Sequence, residues 1–464
     1  MTANGSQPST GGLRRALRRL ALHREDSRQV LRLAYPVILG MTSFTLLSFV
    51  DTAMLGRVGD AALAASGIAG VLVFGILFTF SAMGVGVQTV TARRFGEGRF
   101  TECGNVATSG LVLAGLIGLP LTLSAPWLAS LLAPAQSPDP EVVRLVQIYL
   151  HYRLYGAMFM IANWVLRGFF AGIGETHHQM VASILTTAAN ILLDYLLIFG
   201  RGGFPQMGVQ GAAIASSIAI AVGTIYLAWV ALSPGHGKRF AVLRRPFSFR
   251  RWMRPIARLS LPVAGQRVIA NGSWYLFFLI VGRIGTVELA ASTAIRSVYH
   301  LTIMIGVGMG TAAAALVGQS LGAGKPDRAE RLGWEATKLS ALSMGVTGIL
   351  FLAVPGLLLR IFTPDPAVIS AGRTPLFLLG FVQAFAGITL VLIHSLQGAG
   401  NTRFVMLSEL AICSSLYLPV VYGLGLHTEL GIVGAWLGEF LYWIGLAGIM
   451  SWKFARGTWK HIIV

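Results

Sequence analysis

The chain has 464 residues, 55% of them hydrophobic and only 12% charged, with a mean hydropathy of +0.69. A soluble domain carries about twice that share of charge, so a water-soluble globular fold is excluded. The formal charge of +18 does not mark a nucleic-acid binder either, because the basic residues are segregated by loop.

Residues 1–29 form a polar, Arg-rich tail without the apolar h-region of a signal peptide. Its stretch "LRRALRRLAL" reads as a positive flank that sets topology, with a surface amphipathic helix as the alternative. Twelve apolar runs follow, at about 30–56, 66–92, 104–132, 141–171, 176–199, 209–233, 255–282, 288–317, 330–353, 367–398, 402–425 and 431–455. Most exceed the ~20 residues that a helical span needs. They must be helices, since lipid offers no partner for a bare backbone. The longest polar connection, 234–254, reads as a linker between two six-helix halves, 30–233 and 255–455, with a tail at 456–464. About 26 of the 36 Lys and Arg fall in alternate loops on one side. That side, with both termini and the linker, is expected to be cytoplasmic, in the cytoplasmic (inner) membrane. Two cysteines, Cys103 and Cys413, exclude a disulfide framework.

The halves read as copies. "LAYPV" at 33 matches "LSLPV" at 259, "GRVGDAALAAS" at 56 matches "GRIGTVELAAS" at 282, and "GIGETHHQM" at 172 matches "GAGNTRFVM" at 398. Each pair is 226 residues apart, slipping to 223 where "GVQGAA" at 208 matches "GIVGAW" at 431. Duplication is the usual architecture of secondary transporters. An even helix number per copy gives both the same orientation, so the fold expected is an all-α integral membrane protein. Its two lobes are related by a pseudo-two-fold axis along the membrane normal.

Duplication also supplies an internal control, because polar groups in one copy only are candidates for chemistry. Asp51 pairs with Phe277, Asn190 with Leu416, Asp194 with Val420 and Asn163 with Thr389. Asn190 and Asp194 share a helix face at i and i+4, Ser216 lies on the next helix, and Asp51 should sit at the depth of Asp194. Two carboxylates facing one small cavity resist double ionisation. Such a pair holds a proton or trades it for a hard, oxygen-seeking cation such as Na⁺ at Asp51, Asn190 and Asp194. The competing reading is that these residues only cap or cross-link helices.

Glu409, Glu439 and Arg267 could form a second polar cluster in the other lobe, or snorkel and pair near the surface. His151, His300 and His394 read as packed or interfacial. His177 and His178 read as lacking the companions a metal site needs. "LGAGKP" fails as a phosphate loop, since Pro326 follows Lys325 where Ser or Thr is required. No cofactor is expected, and an ion gradient remains as the energy source.

The repeated "GR[VI]G…LAAS", the paired "G[EN]T" and "NILLDY" resemble the multidrug and toxic compound extrusion (MATE) family over about residues 30–455, most closely its prokaryotic DinF branch. The resemblance implies two six-helix lobes around a cleft and cation-coupled export, by H⁺ or Na⁺, of small, often cationic organic compounds. It implies that Asp51, Asn163, Asn190, Asp194 and Ser216 form the coupling and substrate site, with Pro36 where the first helix bends. The expected partners are the lipid bilayer and those substrates, not nucleic acid, and the protein is expected to work as a monomer. A flippase for lipid-linked precursors is the rival within transport. An integral-membrane enzyme is disfavoured by short loops and by acids that lie within helices. A passive channel has no need of a lone acidic cluster in one lobe.

Overall fold

The computed structural model describes residues 22–244 and 249–464. All but the last residue of "LRRALRRLAL" lies outside them. Every regular element among the described residues is helical. In chain order the membrane helices are α1 (Arg24–Gly56), α2 (Asp60–Gly96), α3 (Phe100–Leu123), α4 (Pro140–Leu154 with Ala157–Ile173), α5 (His177–Phe199) and α6 (Val209–Leu232). The second half holds α7 (Phe249–Ile284), α8 (Thr286–Gly322), α9 (Pro326–Ala353), α10 (Pro366–Gly398), α11 (Thr402–Leu426) and α12 (Gly431–Ala455). Among the described residues ten are long and apolar enough to cross a membrane by length and composition, α2 with a break at Ser81, and the bent pair of α4 makes eleven. The twelfth, α7, is 36 residues long and carries Gln266, Arg267 and Asn271 among its apolar residues.

Several boundaries differ from the sequence reading, each for a local reason. The expected third run, 104–132, stops at Leu123, and Pro126 opens a separate short helix, Ala125–Leu132. The fourth run is two segments meeting at 48°. At that break Ser217 donates to the carbonyls of Tyr152 and Arg153, at 2.9 and 3.4 Å, so the orphaned backbone groups are satisfied inside the bilayer. The linker region 234–254 is largely helical: Pro234–Phe240 is a short helix and α7 already starts at Phe249. α1 runs unbroken through Pro36.

Between apolar helices in lipid, close van der Waals packing at small residues replaces the hydrophobic drive. In the first half a Cβ on Gly172 of α4 would crowd Thr91 and the Gln88 carbonyl of α2. In the second half a Cβ on Gly398 would crowd the backbone of Ala314. Both glycines and both partners, Gln88 and Ala314, are related by the 226-residue repeat, so the copies share packing as well as sequence. Farther along, Gly211 and its counterpart Gly434 also pack against backbone, of Leu197 and Leu424 respectively.

The lobes meet at the end that carries the basic loops. Gln88 Nε2 donates to the Thr311 carbonyl at 2.9 Å, and Thr89 Oγ1 to the Gln397 carbonyl at 3.1 Å. Arg93 reaches the carbonyls of Ala399 and Ile462, at 3.3 and 2.9 Å. Gln319 Nε2 donates to the Gly172 carbonyl at 2.8 Å. Gly86 of α2 lies against Ser260 of α7. The side chain of Glu335 on α9 accepts from the backbone N–H of His23 and from Ser27 Oγ, both at 2.6 Å.

Candidate functional site

The candidate residues sit toward the opposite end. Asp51 is five residues from the end of α1, and Asp194 five from the end of α5. Asn190 and Asp194 are fully buried, and Ser216 nearly so. Asn190 Nδ2 points to Ser216 Oγ at 3.4 Å. The carboxyls of Asp51 and Asp194 lie close enough to share a hydrogen when one of them is protonated. Among the described residues no N–H or O–H donor reaches either oxygen of Asp194, Oδ1 of Asp51 or Oδ1 of Asn190. Two carboxylates are acceptors only, so their contact requires a proton on one of them or a cation between them.

Two residues of α4 complete this corner, and the sequence reading did not single them out. Arg153 acts electrostatically on both aspartates, yet forms no ion pair with either among the described residues, and its Nη1 is buried without a partner. Tyr149 lies in the same electrostatic neighbourhood, acted on by Arg153 and both aspartates. A signal was present, because Arg153 is a charge inside an apolar run, and such charges are functional by default.

Asn163 belongs to a different cluster. Its Nδ2 donates to Thr224 Oγ1 at 3.2 Å, and its Oδ1 accepts from Arg167 Nε at 2.7 Å. Arg167 also donates to Ser183 Oγ at 2.6 Å and lies 5.4 Å from the Phe44 ring centroid. A buried stripe on α5, Ser183, Thr187, Asn190 and Asp194, links this cluster to the acid pair over roughly 16 Å of helix at 1.5 Å per residue.

In the second lobe Glu409 accepts from Gln266 Nε2 at 2.7 Å and from Tyr442 OH at 2.8 Å. Gln266 Oε1 in turn accepts from Gln397 Nε2 at 2.7 Å. Glu439 accepts from Trp443 Nε1 at 2.7 Å, while the buried Tyr417 hydroxyl has no hydrogen-bond partner among the described residues. Arg267 does not pair with Glu409; its guanidinium stacks over Phe78 of the first lobe at 4.3 Å. Tyr417 ends a π-helical turn, Cys413–Tyr417, a geometry that concentrates at functional sites. Here every carboxylate has a donor, unlike the first-lobe pair.

The histidine reading needs correction. His178 does have companions: Glu175 and His236 bring their ligand atoms within 4.8 Å of one another and of His178. Sequence spacing hid this because His236 lies beyond α6.

The MatE family model matches the chain twice, over residues 36–196 and 262–422, at the same 226-residue offset as the repeats. A probable multidrug resistance protein NorM of Thermotoga maritima is 27% identical over 441 residues, covering 94% of each chain. Two solved structures share the fold at 22% identity. One is described as a MOP superfamily transporter from Pyrococcus furiosus whose binding pocket has reverse polarity, suggesting a different function (TM-score 0.87, covering 99% and 100% of the two chains). The other is an outward-facing multidrug resistance MATE family transporter (TM-score 0.86, 98% and 99%). With both halves matched, the chain belongs to the MatE family, the multidrug and toxic compound extrusion family that its repeats resemble.

Proposed function

We propose that the protein is a secondary active exporter of small amphipathic, often cationic organic compounds, driven by inward movement of H⁺ or Na⁺. The observation that carries this reading is the contact between Asp51 and Asp194 without a donor. The pair is complete only with a proton or a cation, so its packing depends on what it holds. Outward-side protonation or Na⁺ binding stabilises one arrangement of α1 against α5 and α6, and release favours the other. Substrate competes for the same lobe. The NorM names of the relatives support drug export.

The lobes are sealed at the basic end. If that end is cytoplasmic, as the positive-inside rule expects, this arrangement faces outward, ready to load the coupling ion. Asn190 and Ser216 supply further oxygens beside the pair, and Arg153 supplies the charge that compensates it when the ion leaves. The lack of a carboxylate on α7 and α10 of the second lobe favours the DinF-like branch. We take the working unit to be a monomer with both termini cytoplasmic.

One proton moving down about 100 mV supplies ~2.3 kcal/mol, enough to drive a gradient of about 50-fold for a neutral substrate. The test is transport of a cationic dye in proteoliposomes, with pH and Na⁺ gradients imposed separately. Dye movement that responds to neither gradient would remove ion coupling from the reading.

A further inference from the structure

We infer that Glu175, His178 and His236 form a binding site for a transition-metal dication of the Zn²⁺ class at the basic end of the first lobe. Glu175 lies in the turn between α4 and α5, His178 in the first turn of α5, and His236 in the short helix after α6. His236 Nε2 lies 2.7 Å and His178 Nε2 3.6 Å from the same Glu175 oxygen. Tetrahedral zinc with ligands at about 2.0–2.1 Å sets its ligand atoms roughly 3.3 Å apart. Two of the three separations are within about 0.6 Å of that spacing and the third is no more than 4.8 Å, so side-chain rotation can make the three atoms one face of a coordination sphere.

The other ring nitrogens are already held. His236 Nδ1 meets Ser233 Oγ at 3.3 Å, and His178 Nδ1 meets Tyr226 OH at 3.2 Å. Metal-ligating histidines are oriented in this way, with the non-ligating nitrogen hydrogen-bonded to a fixed group. The side chains are 16–28% exposed, so an ion can enter and keep water in its open positions. Two imidazoles and one carboxylate suit zinc and its late first-row neighbours rather than Na⁺ or Mg²⁺.

The repeat argues that this set is not scaffold. At +226, Glu175 and His178 correspond to Asn401 and Phe404, and the second copy has no such cluster among the described residues. The location gives the ion leverage. Glu175 lines a cavity of about 470 Å³ that is bounded by Gln29, Arg32 and Pro36 of α1 and by Leu316 and Gln319 of α8. Thr176, next in sequence, donates to the Leu33 carbonyl at 2.8 Å. A bound ion ties the start of the inter-lobe linker to a turn that forms part of the basic-end seal.

The test uses full-length protein purified in detergent with a histidine-free tag, stripped with EDTA and titrated with ZnCl₂ by calorimetry. One ion per chain is expected, with affinity at least ~10-fold weaker in His236→Ala and Glu175→Gln and unchanged in the remote variant His427→Ala. Zn²⁺ should also raise the melting temperature of the wild type but not of Glu175→Gln, a readout that separates lost binding from lost folding. Absence of stoichiometric uptake by the wild type, or equal melting shifts in both proteins, would overturn the inference and leave a hydrogen-bonded cluster only.

Discussion

Asp51 of α1 and Asp194 of α5 lie close enough to act on each other's charge, and among the described residues no donor reaches either oxygen of Asp194. The buried carboxylates of the second-lobe cluster have donors: Glu409 has two, and Glu439 has the Trp443 indole. On the proposed reading, the first-lobe pair is where the coupling proton or cation binds.

Asp194→Asn inserts and folds, since a neutral amide is cheaper in the membrane, but it cannot exchange a proton. Coupled dye efflux should fall by the worth of a typical coupling energy, ~5–150-fold. Asp51→Asn should behave alike, and the double variant little worse than either single, as expected for groups acting as one unit. Efflux at matched expression, across external pH of about 5.5 to 8, is the measurement. Near-normal, pH-responsive efflux from Asp194→Asn would return the residue to a structural role.

Glu409→Gln and Glu439→Gln should each reduce efflux less than either aspartate change. Their partners are hydrogen-bond donors, which an amide oxygen can still satisfy. Glu409→Ala differs, because it strands Gln266 and Tyr442 at a cost of about 1–3 kcal/mol, visible as a lower melting temperature. Abolished transport by well-folded Glu439→Gln would move the coupling site to the second lobe.

The inter-lobe seal can be locked. A Cβ at Gly86 would lie 3.4 Å from Cβ of Ser260, close to the ~3.5–4.5 Å spanned by a disulfide, and 2.9 Å from the Ile256 carbonyl, so α2 and α7 must part slightly to admit it. The pair Gly86→Cys with Ser260→Cys should cross-link α2 to α7 under mild oxidation and stop dye efflux, with recovery on reduction. The native Cys103 and Cys413 are buried and should not compete. Full transport by the cross-linked protein would show that these helices need not separate.

Orientation is tested at the linker. A cysteine placed at Gly235, where a side chain meets open space, should resist impermeant reagents in intact cells and react after lysis. Ready labelling from outside would invert the topology.

Close packing sets the last prediction. A Cβ on Gly168 of α4 would overlap the Gly84 backbone of α2, so Gly168→Ala should lower stability in detergent by about 1–3 kcal/mol. Gly67→Ala, with nothing within 4 Å, should be neutral or gain up to ~1 kcal/mol of helix propensity. Equal melting temperatures for the two variants would refute the contact.

Much of this molecule was legible in the chain itself. Apolar run length counts spans without tertiary information, because the bilayer thickness fixes helix length and forbids other backbone. The offset of 226 exposed the duplication, and the asymmetry at Phe277, Leu416 and Val420 singled out Asp51, Asn190 and Asp194 as candidates for chemistry. Helical periodicity alone placed Asn190 and Asp194 on one face.

Only the tertiary structure decided which side chains meet across helices. Asn163 left the acid pair for Arg167 and Thr224, while Arg153 and Tyr149 joined it. Arg267 turned to a phenylalanine of the other lobe, and His236 crossed from beyond α6 to reach Glu175 and His178. The physical reason is the same in each case. Membrane insertion and helical period are properties of a segment, readable one run at a time. Pairing between helices depends on their rotation, their tilt and the breaks at Ser81 and Gly156, and those are settled by small-residue contacts between elements distant in sequence.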